Sequence, residues 1–235
     1  MIGMFKKKPV LKYESAIEVY PEPITPSRNH IPQWYKKIPK WKDNKILTED
    51  KKINVTMKQC MPFLDSLSIG YIITIPYDIY ITTVDGSPYI VWKETDSPPR
   101  WRQNLSNKNV VPAGHYPFEY TWDLSTSFSV PKGYSAIFTH PFNRHDLPFT
   151  TLTGIIDGGF AIPPHGNFPF FVKTGFDGII EKGTPIAQII PFRQESWLAK
   201  NTLGMIKEGE KNNSKIGSVF NGWYKKTHWN RKQYN

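Results

Sequence analysis

The chain has 235 residues, 39% hydrophobic and 14% aromatic, enough to bury one large β domain without demanding a second. Its 21 prolines disfavour a helical bundle, and no run approaches the roughly 18 apolar residues of a membrane span. Cys60 is the single cysteine, which excludes an intramolecular disulfide, and the net charge of +10 points to anionic partners.

Residues 1–50 are punctuated by Pro9, Pro21, Pro23, Pro26, Pro32 and Pro39 and keep no sustained period. They read as an extended arm with a short turn of helix. The charge run after the N-terminus, Lys6 to Lys8, leads into no apolar stretch, so no secretory signal is expected and the setting reads as cytoplasmic, an infected host cell included. INVTMKQ (53–59) alternates like a strand, and MPFLDSLSIG is a capped turn closing at Gly70. YIITIPYDIYITTV predicts two strands kinked at Pro76, and Asp85-Gly86 predicts the hairpin into SPYIVWK. Residues 94–114 read as a loop. YPFEYTWDLSTSFSV, SAIFTH, TTLTGIID, FPFFVK and TPIAQIIPF then read as strands, and QESWLAKNTL (194–203) as the C-terminal helix. The expected fold is mostly β: a single distorted antiparallel barrel or jelly roll over 51–200, with the arm before it and a basic aromatic tail over 201–235.

The order of motifs resembles the dUTPase / dCTP-deaminase barrel. The residues that carry this are Pro131, Gly133 and Tyr134; Gly154, Ile156, Asp157 and Phe160; and Gly183, Ile186, Ala187 and Gln188. The resemblance implies a dUTPase-like strand core from 130 to 192 and, since that family builds its sites at trimer interfaces, a homotrimer. It does not carry the activity. Where the family has Arg-Ser-Ser, this chain has Pro141-Phe142-Asn143, with Arg144 one step later. The family's hairpin tyrosine is Phe160, and its Gly-rich closing loop is missing from the tail. A second resemblance covers most of the chain. Ile31 to Pro39 (IPQWYKKIP), Cys60 to Asp65 (CMPFLD) and Thr139 to Phe149 (THPFNRHDLPF) are similar to motifs of a phage and bacterial family. It implies a viral or mobile-element context and leaves the function open.

Polar side chains concentrate in the barrel loops: His140, Asn143, Arg144, His145, Asp146, Asp157, His165 and Asn167. Asp157 follows the apolar run LTGII and is the candidate catalytic group, able to orient a water or accept from a sugar hydroxyl; equally, it can cap the turn before Gly158. Arg144 either pairs with Asp146 or Asp157 or stays available for a phosphate. His140, Asn143, Arg144, Asp146, Phe160, His165, Asn167 and Gln188 form the expected ligand-binding set, with Phe160 as an apolar wall. The histidine spacing fits neither a cupin nor a facial-triad metal site; a non-standard site from His140, Asp146 or Asp157 and His165 stays open, no metal is assigned, and the sequence names no cofactor. Cys60, in an apolar turn, reads as packed rather than reactive.

Two functions follow. One is a phage-type protein binding a small polar, nucleotide-like ligand in this loop pocket, catalysis unproven. The other is a non-catalytic virion, assembly or nucleic-acid-binding protein. There the arm and tail, with lysines beside Trp34, Tyr35, Trp41, Trp223 and Trp229, would contact single-stranded nucleic acid or virion components.

Overall fold

A computed structural model of the chain describes residues 8–16, 18, 22–50, 54–92, 99–102, 110–165, 168–218 and 222–235. It is mostly β. The N-terminal part contributes strands β1 (Lys12–Ser15) and β2 (Ile24–Pro26) and helices α1 (Gln33–Lys37) and α2 (Met61–Ser68). The next strands are β3 (Tyr71–Thr74), β4 (Ile79–Val84), β5 (Ser87–Trp92), β6 (Arg100–Trp101) and β7 (His115–Trp122). Strands β8 (Thr126–Ser129), β9 (Tyr134–Thr139), β10 (Phe149–Thr151) and β11 (Gly154–Asp157) follow. Last come β12 (Phe168–Lys173), β13 (Gly178–Ile180) and β14 (Pro185–Arg193), then α3 (Met205–Ser218) and α4 (Trp223–Thr227).

The chain forms two compact units. One comprises Met1–Ser27, Gly70–Gln194 and Asn235; the other comprises Arg28–Ile69 and Glu195–Tyr234. These cuts differ from the divisions at 50 and 200 read from composition.

In the β unit the described strands make four antiparallel sheets: β1-β8, β10-β12-β7-β6, β11-β9-β14-β3-β2 and β13-β4-β5. None closes on itself, which corrects the expectation of a single barrel. The chain breaks after β3 at the buried Pro76, and β4 pairs with β5 and β13 in a sheet of its own. The hairpin at Asp85-Gly86 forms as read, with φ of +50° and +77° and Val84 opposite Ser87. Both central residues have positive φ, as a type I′ turn requires.

The core uses the aromatic content. The Trp122 ring stacks on Phe170 at 3.7 Å and 9°, with Phe149 edge-on at 4.9 Å. Ile73, Ile186 and Ile189 of the five-stranded sheet belong to the same buried cluster. One polar relay links the two large sheets through it. Trp122 Nε1 donates to Thr151 Oγ1 at 3.1 Å, and that hydroxyl donates to the Ile186 carbonyl at 2.6 Å. A buried indole N–H is thereby satisfied with no water.

The second unit joins segments distant in sequence. Tyr35 of α1 is buried and stacks on Phe63 of α2 at 5.8 Å, while Lys58 sits 4.4 Å over the Tyr35 ring. Asp65 of α2 accepts from Trp229 Nε1 at 2.9 and 3.0 Å and pairs with Lys232 at 3.4 Å. Two expectations change here. INVTMKQ is not a strand in its described part: Val55 makes one isolated bridge to Trp41, and Met57–Gln59 is a 3-10 turn. The C-terminal helix lies at Met205–Ser218, beyond 194–203, because Asn201-Thr202 and Gly204 (φ +91°) interrupt the pattern before it. No helix among the described residues is long and apolar enough to cross a membrane.

Candidate functional site

The loop from His140 to Leu147 leaves β9 and returns to β10. It is held by its own polar groups. The buried Gln188 of β14 accepts the Phe142 N–H on Oε1 at 2.9 Å. His140 Nδ1 accepts the Thr151 N–H at 3.3 Å, so its proton sits on Nε2, which donates to the Arg144 carbonyl at 3.0 Å. Burial pushes the His140 pKa down to about 4, and the nearby Lys173, His145 and Arg144 charges add to this; the Arg144 carbonyl opposes it. This histidine is a neutral cross-brace. Arg144 Nε and Nη2 clasp Asp146 at 2.9 Å each, with the guanidinium mostly buried. Of the two readings of Arg144, the geometry is that of the internal pair. Asn143 takes φ +59° at the loop's tip, a conformation Asn tolerates, and Lys173 Nζ ties down the His145 carbonyl at 2.5 Å.

Asp157 lies elsewhere. It ends β11 opposite Ser135, near the start of β9, whereas His140 follows the end of β9. Five residues of strand separate those ends, about 16 Å. Asp157 is exposed, and its Oδ1 accepts from Ser135 Oγ at 2.8 Å and from Gln194 Nε2 at 3.1 Å. Its side chain thus ties β9, β11 and the end of β14 together. Phe160 is 58% exposed, and Asn167 lies outside the described residues.

His165 belongs to a third place, built on a residue the sequence reading passed over. Asp123, just beyond β7, has a fully buried carboxylate that meets His165 Nδ1 at 3.0 Å and Arg100 Nη2 at 3.1 Å. It also accepts the Ser125 N–H at 3.3 Å. Arg100 and His165 are each more than half exposed, so a buried anion is presented to solvent through two cationic or polar side chains. The same strand carries Glu119, buried, with Oε1 lacking a hydrogen bond among the described residues and Arg102 at 3.9 Å. Burial raises its pKa, and Arg102 pulls it back. An acid at 119 and another at 123, in a run otherwise aromatic and hydroxylic, was the available signal; reading 116–130 as one continuous strand hid the turn at Ser125 (φ +44°).

The sequence-predicted residues thus fall in three places: His140, Asn143, Arg144 and Asp146 over Gln188; Asp157 with Ser135 and Gln194; and His165 with Asp123 and Arg100. Among the described residues no three His, Cys, Asp or Glu side chains converge as a metal site would need. Cys60 is exposed at the start of α2, not packed as expected.

The basic surface has the opposite character. The ranges of the second unit hold 17 Lys and Arg against 7 Asp and Glu; those of the β unit hold 13 against 13. The whole net charge of +10 therefore lies in the smaller, helical unit. Its lysines at 36, 37, 40, 42, 225 and 226 are exposed and enter no ion pair among the described residues. The aromatics between them divide: Tyr35 and Trp229 are used internally, while Tyr224 and His228 remain exposed, their rings 6.4 Å apart.

No family model and no curated protein matches the chain. Among solved structures it is similar to EIAV dUTPase in its native form, at 14% identity, over 83% of this chain and 98% of that one, with a TM-score of 0.33. A likeness at that score defines no shared site.

Proposed function

We propose that this is a nucleic-acid-binding protein of the non-catalytic kind. Its helical unit holds single-stranded nucleic acid through the phosphates, and its β unit is the scaffold. The observation that supports this is the segregation of charge: all of the +10 sits on the smaller unit, with exposed lysines on α1 and α4 and beside α1 that enter no ion pair among the described residues. Each phosphate neutralised releases counterions, so binding would be steeply salt-dependent, and the exposed Tyr224 and His228 offer faces for bases. The test is fluorescence anisotropy of a labelled single strand between about 50 and 200 mM salt, with duplex as competitor. Changing Lys36, Lys37, Lys40 and Lys42 to Gln should flatten the log–log salt slope by about 0.7 for every phosphate no longer neutralised. No binding at low salt, or a variant with an unchanged slope, counts against the reading. So does preference for the duplex.

A small polar, nucleotide-like ligand is the second reading, favoured by the buried Asp123 carboxylate behind the half-exposed Arg100 and His165. Under it, the motif order over 130–192 is read as a dUTPase-like strand core, Asp157 as the candidate catalytic group and a homotrimer as the working assembly. A thermal-shift screen with nucleotides on wild type, Asp123→Asn and Asp157→Asn tests it. A shift lost in Asp123→Asn supports a ligand at the Asp123 cluster, one lost in Asp157→Asn supports a ligand at the separate Asp157 site, and a flat screen removes the reading. The resemblance to phage-type motifs supports, for both readings, a setting in an infected cell, packaged in a virion or free in the cytoplasm.

A further inference from the structure

Two apolar surfaces stay exposed among the described residues. The first is the segment after β14. Trp197, Leu198, Leu203 and Ile206 are 88%, 90%, 98% and 79% exposed, and 194–202 carries no helix or strand. With Met205, 58% exposed, that makes five large apolar side chains in ten residues, far beyond the scattered exposure a surface normally tolerates. Between Glu195 and Glu208 this segment has Lys200 and Lys207 and no acid.

The second surface is the outer face of the β13-β4-β5 sheet. Ile179, Tyr80 and Val91 stand in register across the three strands, and Tyr89 pairs with Thr82 in the next row. Ile179 and Tyr89 are 59% and 60% exposed, and Tyr80 and Val91 are exposed as well. The opposite face of the same strands, Ile79, Ile81, Ile90 and Ile180, is in the core, so the sheet has apolar residues on both sides with only one covered. The rim of the outer face is acidic: Asp78, Asp85, Asp177 and Glu181 are exposed around it, against Lys182. Asp177 also accepts from the Tyr80 hydroxyl at 3.0 Å and from Thr82 at 2.7 Å, which places its charge against the apolar row.

We infer that the chain self-associates, residues 197–206 of one molecule covering the β13-β4-β5 face of a second. The apolar rows would be buried against each other, with Lys200 and Lys207 meeting the acidic rim. Charge selects this pairing. Two copies of the segment would bring like-charged basic units together. The inference does not depend on either functional reading.

The test is sedimentation velocity on the full chain with Leu198→Asp and Ile179→Asp. Both side chains are exposed in the single molecule, so both variants should keep the thermal midpoint that wild type shows when diluted to monomer. Wild type should exceed the 27.2 kDa monomer, and each variant should dissociate at least about tenfold more readily. The contact joins two different surfaces, so mixing the variants should restore a dimer, because one copy keeps an intact segment and the other an intact face. A monomeric wild type, association unaffected by either variant, or variants that do not complement each other would overturn the inference.

Discussion

His140 shows how a residue chosen for its chemistry can be spent on structure. Both ring nitrogens are engaged by backbone groups, and its pKa is held at about 4 against 6.5 for a free imidazole. Above pH 6.5 the ring is neutral folded or unfolded, so it makes no pH-dependent difference. As pH falls from 6.5 towards 4, the unfolded chain takes up a proton that the folded chain refuses, and stability drops on the order of 3 kcal/mol. Urea titrations of wild type and His140→Gln at neutral and acid pH isolate this contribution: wild type should lose the more stability over that window. A second residue-scale prediction concerns Gly158. A Cβ there would fall 2.1 Å from the Pro131 carbonyl oxygen and 2.5 Å from that of Tyr134, both backbone. Gly158→Ala should cost about 3 kcal/mol, whereas Gly159→Ala, with positive φ but only ordinary van der Waals contact with Lys132 at 3.7 Å, should cost about 1 kcal/mol. Thermal melts that reverse this order would show that the turn can yield.

At the scale of elements, the two large sheets share the Thr151 hydroxyl. Thr151→Val keeps the shape but leaves the Trp122 indole N–H and the Ile186 carbonyl without partners, at a cost of about 2–3 kcal/mol. Thr151→Ser should recover most of it, as chemical denaturation would report. Elements of this kind divide by how local their causes are. The Asp85-Gly86 hairpin, the α2 turn before Gly70 and the strand at IAQII were legible because a turn type, a cap or an apolar run is written in adjacent residues. The open sheets were not, since whether β4 continues beside β3 or starts another sheet depends on partners 100 residues away, at β13. The candidate site was legible as residue types but not as a place. The sequence puts His140 and Asp157 17 positions apart, yet they lie at opposite ends of β9. Asp123 was invisible as a site because its meaning comes from Arg100 and His165, delivered by other segments.

For the whole molecule, the dominant fact is a division of labour in charge: a β unit of zero net charge and a helical unit that carries all of it. The helical unit is held together by Asp65, which receives the Trp229 indole and Lys232 from the far part of the chain. Asp65→Ala should lower the stability of that unit by about 1–2 kcal/mol. Trp229→Phe should cost a similar amount, and the double variant should lose less than the two losses added together. Additive losses in a double-mutant cycle would mean the two side chains act independently.

That link has a consequence for how the protein is made. Asp65 and Trp229 are 164 residues apart, so at about 5–20 residues per second the ribosome delivers the second roughly 8 to 33 seconds after the first. During that interval the strands from Tyr71 to Arg193 emerge in full and can complete their sheets, while α1 and α2 wait without the residues that close them. The helical unit is therefore the last to mature on the nascent chain, and a translational pause before Trp229 would lengthen the period in which Phe63 and its neighbours depend on a chaperone.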